Sequence, residues 1–136
     1  MGALKDLHNL LVSMQPVLLP GVFVFCTQAI GKALPDCQPL ALFQETEGTT
    51  LILRQDEAER LGLDYTYPSR CLTLTVHSDL EAVGLLAAVT GCLAQAQISC
   101  NVISAYYHDH LFVSIQAADQ ALSLLEGLRK EASKKS

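Results

Sequence analysis

A chain of 136 residues, half of them hydrophobic and only 17% charged, is long enough to bury one compact core or two very small interlocked ones. Its net charge is −5, its basic residues are scattered apart from Arg129, Lys130, Lys134 and Lys135, and it has four Phe, four Tyr and no Trp. That excludes the basic stripe and the base-stacking platform of a nucleic-acid binder.

In chain order, Leu4, Leu7, Leu10, Leu11 and Met14 recur at helical spacing until Pro16 and Pro20 forbid continuation, which predicts a helix over 3–14. Val22 to Gln28 reads as a strand and Gly31 to Pro39 as a loop. Leu40 to Glu45 and Thr49 to Leu53 flank Glu47-Gly48 as a hairpin. Asp56 and Glu57 open a short helix that Gly62 closes. Residues 64–69 are turn-like and read as the joint between two halves, 1–66 and 67–136. The second half runs strand 71–77, helix 79–97, strand 99–107, a turn at His108-Asp109, strand 110–115 and helix 118–132. Its order, β-α-β-β-α, is one strand short of the split β-α-β unit, while the first half carries one strand extra. Two ferredoxin-like units sharing or exchanging a strand balance the count. The expected fold class is therefore α+β, with antiparallel sheets and helices on one face.

Residues Val76 to Gly84 (V-H-S-D-L-E-A-V-G) carry the most chemistry. Ser78 stands three residues before Glu81, the spacing of a capping box at a helix start. A strand turning sharply into a helix leaves first-turn N–H groups free. With the positive end of the helix dipole, those donors seat a small carboxylate; the plainer alternative is a β-α connection capped by Ser78 and Glu81 alone. Gly84 costs roughly 1 kcal/mol relative to Ala inside a helix. Close approach of a ligand, or close helix–strand packing, explains its presence. Asp109 at a hairpin tip is either a turn former or the acceptor for a ligand ammonium group.

Other chemistry is thin. His108 and His110 have H-x-H spacing and with His77 could form a metal site, but a turn at Asp109 breaks the same-side geometry, so no metal is expected. The motifs G-x-x-x-x-G-K-[ST] and G-x-G-x-x-G are absent, no activated nucleophile stands out, and neither a cofactor nor catalysis is expected. Cys26, Cys37, Cys71, Cys92 and Cys100 are odd in number, lack C-x-x-C spacing and mostly sit in apolar runs, as small hydrophobes of a reducing compartment do. The first twenty residues are charged and amphipathic, and no apolar run reaches membrane-spanning length. The expectation is a cytoplasmic protein with no membrane partner.

Leu74 to Leu86 (L-T-V-H-S-D-L-E-A-V-G-L-L), Gln97 to Asn101 and Ser104 to Val113 together resemble the small-molecule-binding ACT domain. The whole chain is similar to short bacterial proteins made of two ACT-like units, in which L-P-G-x-[FY]-V-F-C resembles Leu19 to Cys26 and A-L-F-x-E resembles Ala41 to Glu45. More distantly, it is similar to the regulatory lobes of aspartate kinases and to cytosolic arginine sensors. The resemblance implies a regulatory module that binds an amino acid and has no catalytic domain. Its ligand would lie against Ser78, Val83, Gly84 and Leu85, with Asp109 taking the amino end. It implies a homodimer, or docking onto a regulated protein. A second expectation, from the mean hydropathy of +0.29, is a structural oligomerisation or protein-interaction module with no ligand.

Overall fold

The computed structural model describes residues 6–135. These divide into two compact units: the chain up to Leu19 together with Cys71 onward, and Pro20–Arg70.

The first unit holds α1 (Leu7–Ser13), β1 (Pro16–Leu18), the end of β5 (Thr66–Leu74), α3 (Leu85–Gln95), β6 (Cys100–Ser104), β7 (Asp109–Ser114) and α4 (Ala118–Lys134). The Asp6 carboxylate accepts from the His8 amide and caps α1; two residues beyond Met14, Pro16 prevents its extension. Strand β1 had no counterpart in the sequence reading. It pairs antiparallel with β5, Pro16 opposite Leu74 and Leu18 opposite Leu72. The strand order is thus β1–β5–β7–β6, and the strand missing from the second half comes from residues 16–18. Three residues beginning with Pro carry no period of their own, so only their partner reveals them.

Leu72 and Leu74 on β5 and Leu111 and Val113 on β7 point to one face, at the two-residue period of a strand. Against that face pack Leu10 and Met14 from the N-terminal segment, Leu85, Val89 and Leu93 from α3, and Ala121 and Leu125 from α4. Each fully buried leucine contributes about 2–3 kcal/mol by burial. The stripe on α3 is therefore Leu85-Val89-Leu93, at i, i+4 and i+8. Val83 is 81% exposed.

The Pro20–Arg70 unit holds β2 (Phe23–Gln28), β3 (Ala41–Gln44), β4 (Thr49–Arg54), α2 (Gln55–Arg60) and the start of β5. Its strands run β3–β4–β2–β5, the same ferredoxin-like order. Val24, Cys26, Leu51 and Leu53 pack with Ala58 of α2. The crossover from β2 to β3, with Gly31, Pro35 and Pro39, is irregular. The predicted turn at 64–69 is instead the opening of β5. A register shift stands between the pairs Phe23–Ser69 and Phe25–Thr66. It places one extra residue on β5, a bulge that accommodates Tyr67 at φ 59° and Pro68 within the strand.

Cys26 and Cys71 are buried and all five thiols are free; burial pushes the Cys71 thiol up to about 11. Among the described residues no helix is long and apolar enough to cross a membrane.

Candidate functional site

Strand β5 ends at Leu74, and ten residues lead from it to α3. The capping box does not form. Asp79 Oδ1 instead accepts from the Glu81 amide at 2.7 Å, and the Ala82 amide donates to the Asp79 carbonyl at 2.9 Å. This Asx turn competes with helix and wins. Helix α3 therefore starts at Leu85, six residues later than the sequence predicts, with Gly84 as its N-cap at φ 100°. That left-handed conformation favours glycine. The Cβ that any other residue would carry there would stand 3.2 Å from Leu7 Cδ2.

No side chain caps α3. The Ala88 amide donates to the Gly84 carbonyl at 2.9 Å and closes the first turn. The N–H groups of Leu85, Leu86 and Ala87 precede it and have no carbonyl within the helix. Ser78 is released from capping and turns its hydroxyl to Asp109 Oδ2, at 3.4 Å.

Asp109 is not at a hairpin tip. It is the first residue of β7, opposite Ser104 of β6, and the loop between them is 105–108, where the Ala105 amide donates to the His108 carbonyl. The residue is only 7% exposed. Its second oxygen, Oδ1, takes no hydrogen bond from the described residues.

These features meet at a cavity of about 150 Å³. Leu85, Leu86 and Ala87 form one wall, Ser78 and Asp109 another, and Ser104 and Ala105 complete it beside Gly84. Of the residues singled out in the sequence, Ser78, Gly84, Leu85 and Asp109 line it and Val83 does not. Sequence reasoning missed Leu86 and Ala87, because it started the helix at the wrong residue. The arrangement can hold a small zwitterion, with amides and a helix dipole for an anion and a buried carboxylate for a cation.

The histidines do not converge on a metal. His77 lies against Tyr107, ring centroids 5.6 Å apart, and the His108 and His110 rings stand 6.3 Å apart at 87°. Among the described residues no group of three or more His, Cys, Asp or Glu is placed to hold an ion.

His110 is half-buried, its Nδ1 2.9 Å from Thr73 Oγ1. Burial first, then His108, lowers its pKa below the ordinary 6.5, against an opposing pull from Asp109. Unfolding restores the higher value, so protonation favours the unfolded chain. The stability His110 contributes is present above pH 6.5 and is lost as the pH falls through its folded value. Urea unfolding at pH 7.5 and 5.5 reads this directly. The midpoint falls at the lower pH, and falls less in His110→Gln; equal slopes would remove His110 as the cause.

An ACT-domain family model matches residues 3–70, and a second matches residues 66–127. A Vibrio cholerae protein of unknown function, named as a possible transport protein, is similar over 92% of this chain and 97% of its own, with 46% identity and a TM-score of 0.81. The chain belongs to the ACT-domain family. An Agrobacterium tumefaciens protein shares the tandem ACT fold at 16% identity and a TM-score of 0.73, covering 85% of this chain and 89% of that one. So does the regulatory subunit of aspartate kinase from Thermus flavus, at 9% identity and a TM-score of 0.65, covering 84% and 96%. No curated protein matches.

Proposed function

We propose that this tandem ACT protein is a regulatory module that binds a free amino acid in the cavity beside α3, without catalytic activity of its own. One observation carries the reading. Asp109 is a carboxylate with 7% exposure and an unused oxygen, and it lines the same cavity as an uncapped helix start. A carboxylate with so little exposure and one oxygen still open is a favourable seat for a cation, and a ligand ammonium group supplies one. The ligand carboxylate then accepts from the Leu85, Leu86 and Ala87 amides, and the Ser78 hydroxyl steadies Asp109.

We take the ACT repeats as the segments 1–66 and 67–136, acting in the cytoplasm. The module pairs as a homodimer or docks onto a protein it regulates. Support for such association comes from β3, the edge strand of its unit, where Leu42 is 40% and Phe43 is 70% exposed. An apolar edge of this kind invites pairing.

A thermal-shift panel of the twenty amino acids tests the reading. A ligand at 100 times its Kd adds about 2.7 kcal/mol of stability, which raises the melting point by several degrees. A panel in which none shifts the transition overturns it.

A further inference from the structure

The crossover that joins β2 to β3 carries a thiol, and a second thiol lies in the core against which it packs. Cys26 and Cys37 are the only cysteines of the Pro20–Arg70 segment. Cys26, on β2, is 5% exposed and belongs to the cluster of Val24, Leu51, Leu53 and Ala58. Cys37 is half-buried and packs against that same cluster. Its chain neighbours explain the placement. The Gln38 amide donates to Glu57 Oε2 at 3.4 Å, and Arg60 donates to the Asp36 carbonyl at 3.3 Å. Both tethers run to α2, whose Ala58 packs with Cys26, and they seat the intervening thiol on the cluster. Burial first, and then Cys37, raises the Cys26 thiol, so the two sulfurs stand within electrostatic reach.

The rest of the crossover is lightly held. Ile30 is 68% and Leu34 50% exposed, and a Cβ placed on Gly31 would meet nothing within 4 Å. The two tethers are themselves exposed, and polar contacts of that kind hold weakly. The segment therefore has slack to bring one sulfur to the other, and no strong bond of its own to fix it in place.

We propose that Cys26 and Cys37 are a redox pair, joined by an oxidant of the peroxide class into a disulfide that locks the 29–40 crossover onto its sheet. Cys37, the more exposed thiol, attacks the peroxide O–O bond; it becomes a sulfenic acid and one water leaves. Cys26 then attacks that sulfur, the S–S bond forms and a second water leaves. Two electrons pass to the peroxide, and both thiol protons end in the waters. A thiol reductant reverses the change. Burial, then Glu57 and Asp36, raises the Cys37 thiol against the pull of Arg60. The reaction is accordingly slow at neutral pH and quickens as the pH rises.

Treatment of the full chain with hydrogen peroxide at mildly alkaline pH, followed by tryptic mass mapping, tests the pair. Trypsin cuts after Lys32, between the two cysteines, so the disulfide holds fragments 6–32 and 33–54 together, and each contains a single cysteine. That linked mass is expected in the monomer band of a non-reducing gel, and dithiothreitol abolishes it. The melting point of the oxidised chain rises by roughly 5 °C. Cys37→Ser, a change of one atom at a half-buried site, shows neither the linked mass nor the rise. Absence of the linked mass from the parent overturns the pair, as does Cys37 found as a sulfinic acid while Cys26 remains a thiol. A linked mass without a higher melting point overturns the lock.

Discussion

Asp109→Asn is expected to lower affinity for the proposed amino-acid ligand about ten- to hundredfold, the effect of losing a charge-assisted hydrogen bond of about 1.5–3 kcal/mol. The substitution keeps the shape of the side chain and an oxygen for the Ser78 hydroxyl, which approaches Oδ2 at 3.4 Å. It removes a carboxylate that is 7% exposed. With the side-chain shape and the Ser78 contact kept, the ligand-free variant is expected to stay within about 1 kcal/mol of the parent in stability. Titration calorimetry and urea unfolding on the same preparation read the two effects apart. Binding equal to the parent would reduce Asp109 to a strand-opening residue and move the ammonium site elsewhere.

Gly84→Val is expected to lower stability by about 2–4 kcal/mol. The residue sits at φ 100°, and the new Cβ would meet Leu7 Cδ2 at 3.2 Å. Holding a branched residue in the left-handed region costs about 1–3 kcal/mol by itself, and displacing Leu7 adds to that. Gly84→Ala carries the backbone strain with the least bulk and is expected to fall between parent and Val. Denaturant midpoints measure all three. A Val variant as stable as the parent would mean that α3 starts before Gly84, as the Ser78–Glu81 spacing suggests, and that the first-turn amides lie elsewhere.

How much of this was legible in the sequence depends on the range of the interaction involved. Helix α4 was read nearly to its ends because Ala118, Ala121 and Leu125 declare their period locally, and all three are buried. The hairpin of β3 and β4 was visible in its turn residues. Strand β1 was invisible, because nothing in Pro16-Val17-Leu18 announces Leu72 to Leu74 as its partner. The opening of β5 was read as turn because Tyr67 and Pro68 have turn chemistry; a bulge reconciles them with pairing. At the cavity, Ser78, Gly84 and Asp109 are lining residues, though the local roles the sequence suggested for them differ from those they hold. Ser78 was a helix cap in the sequence and is an Asp109 partner in the structure, since a competing Asx turn at Asp79 cannot be weighed without the chain path around it. The burial of Asp109 was unreadable, because an aspartate beside a turn looks the same whether or not a loop folds over it.

The exchange of residues 7–18 into the later unit makes that unit a late event in the life of the chain. As the polypeptide leaves the ribosome, α1 and β1 emerge before the rest of their unit, so Pro16 must wait for Leu74 and Leu10 for Leu125. The β2–β4 pairing closes over a far shorter separation, Phe23 to Arg54, so nascent structure has its natural start there. Contacts that span most of a sequence slow folding. They also tie the outcome to one continuous strand of peptide. A nick within residues 64–68 would part the N-terminal segment from the sheet it completes, leaving two pieces that must find each other by diffusion.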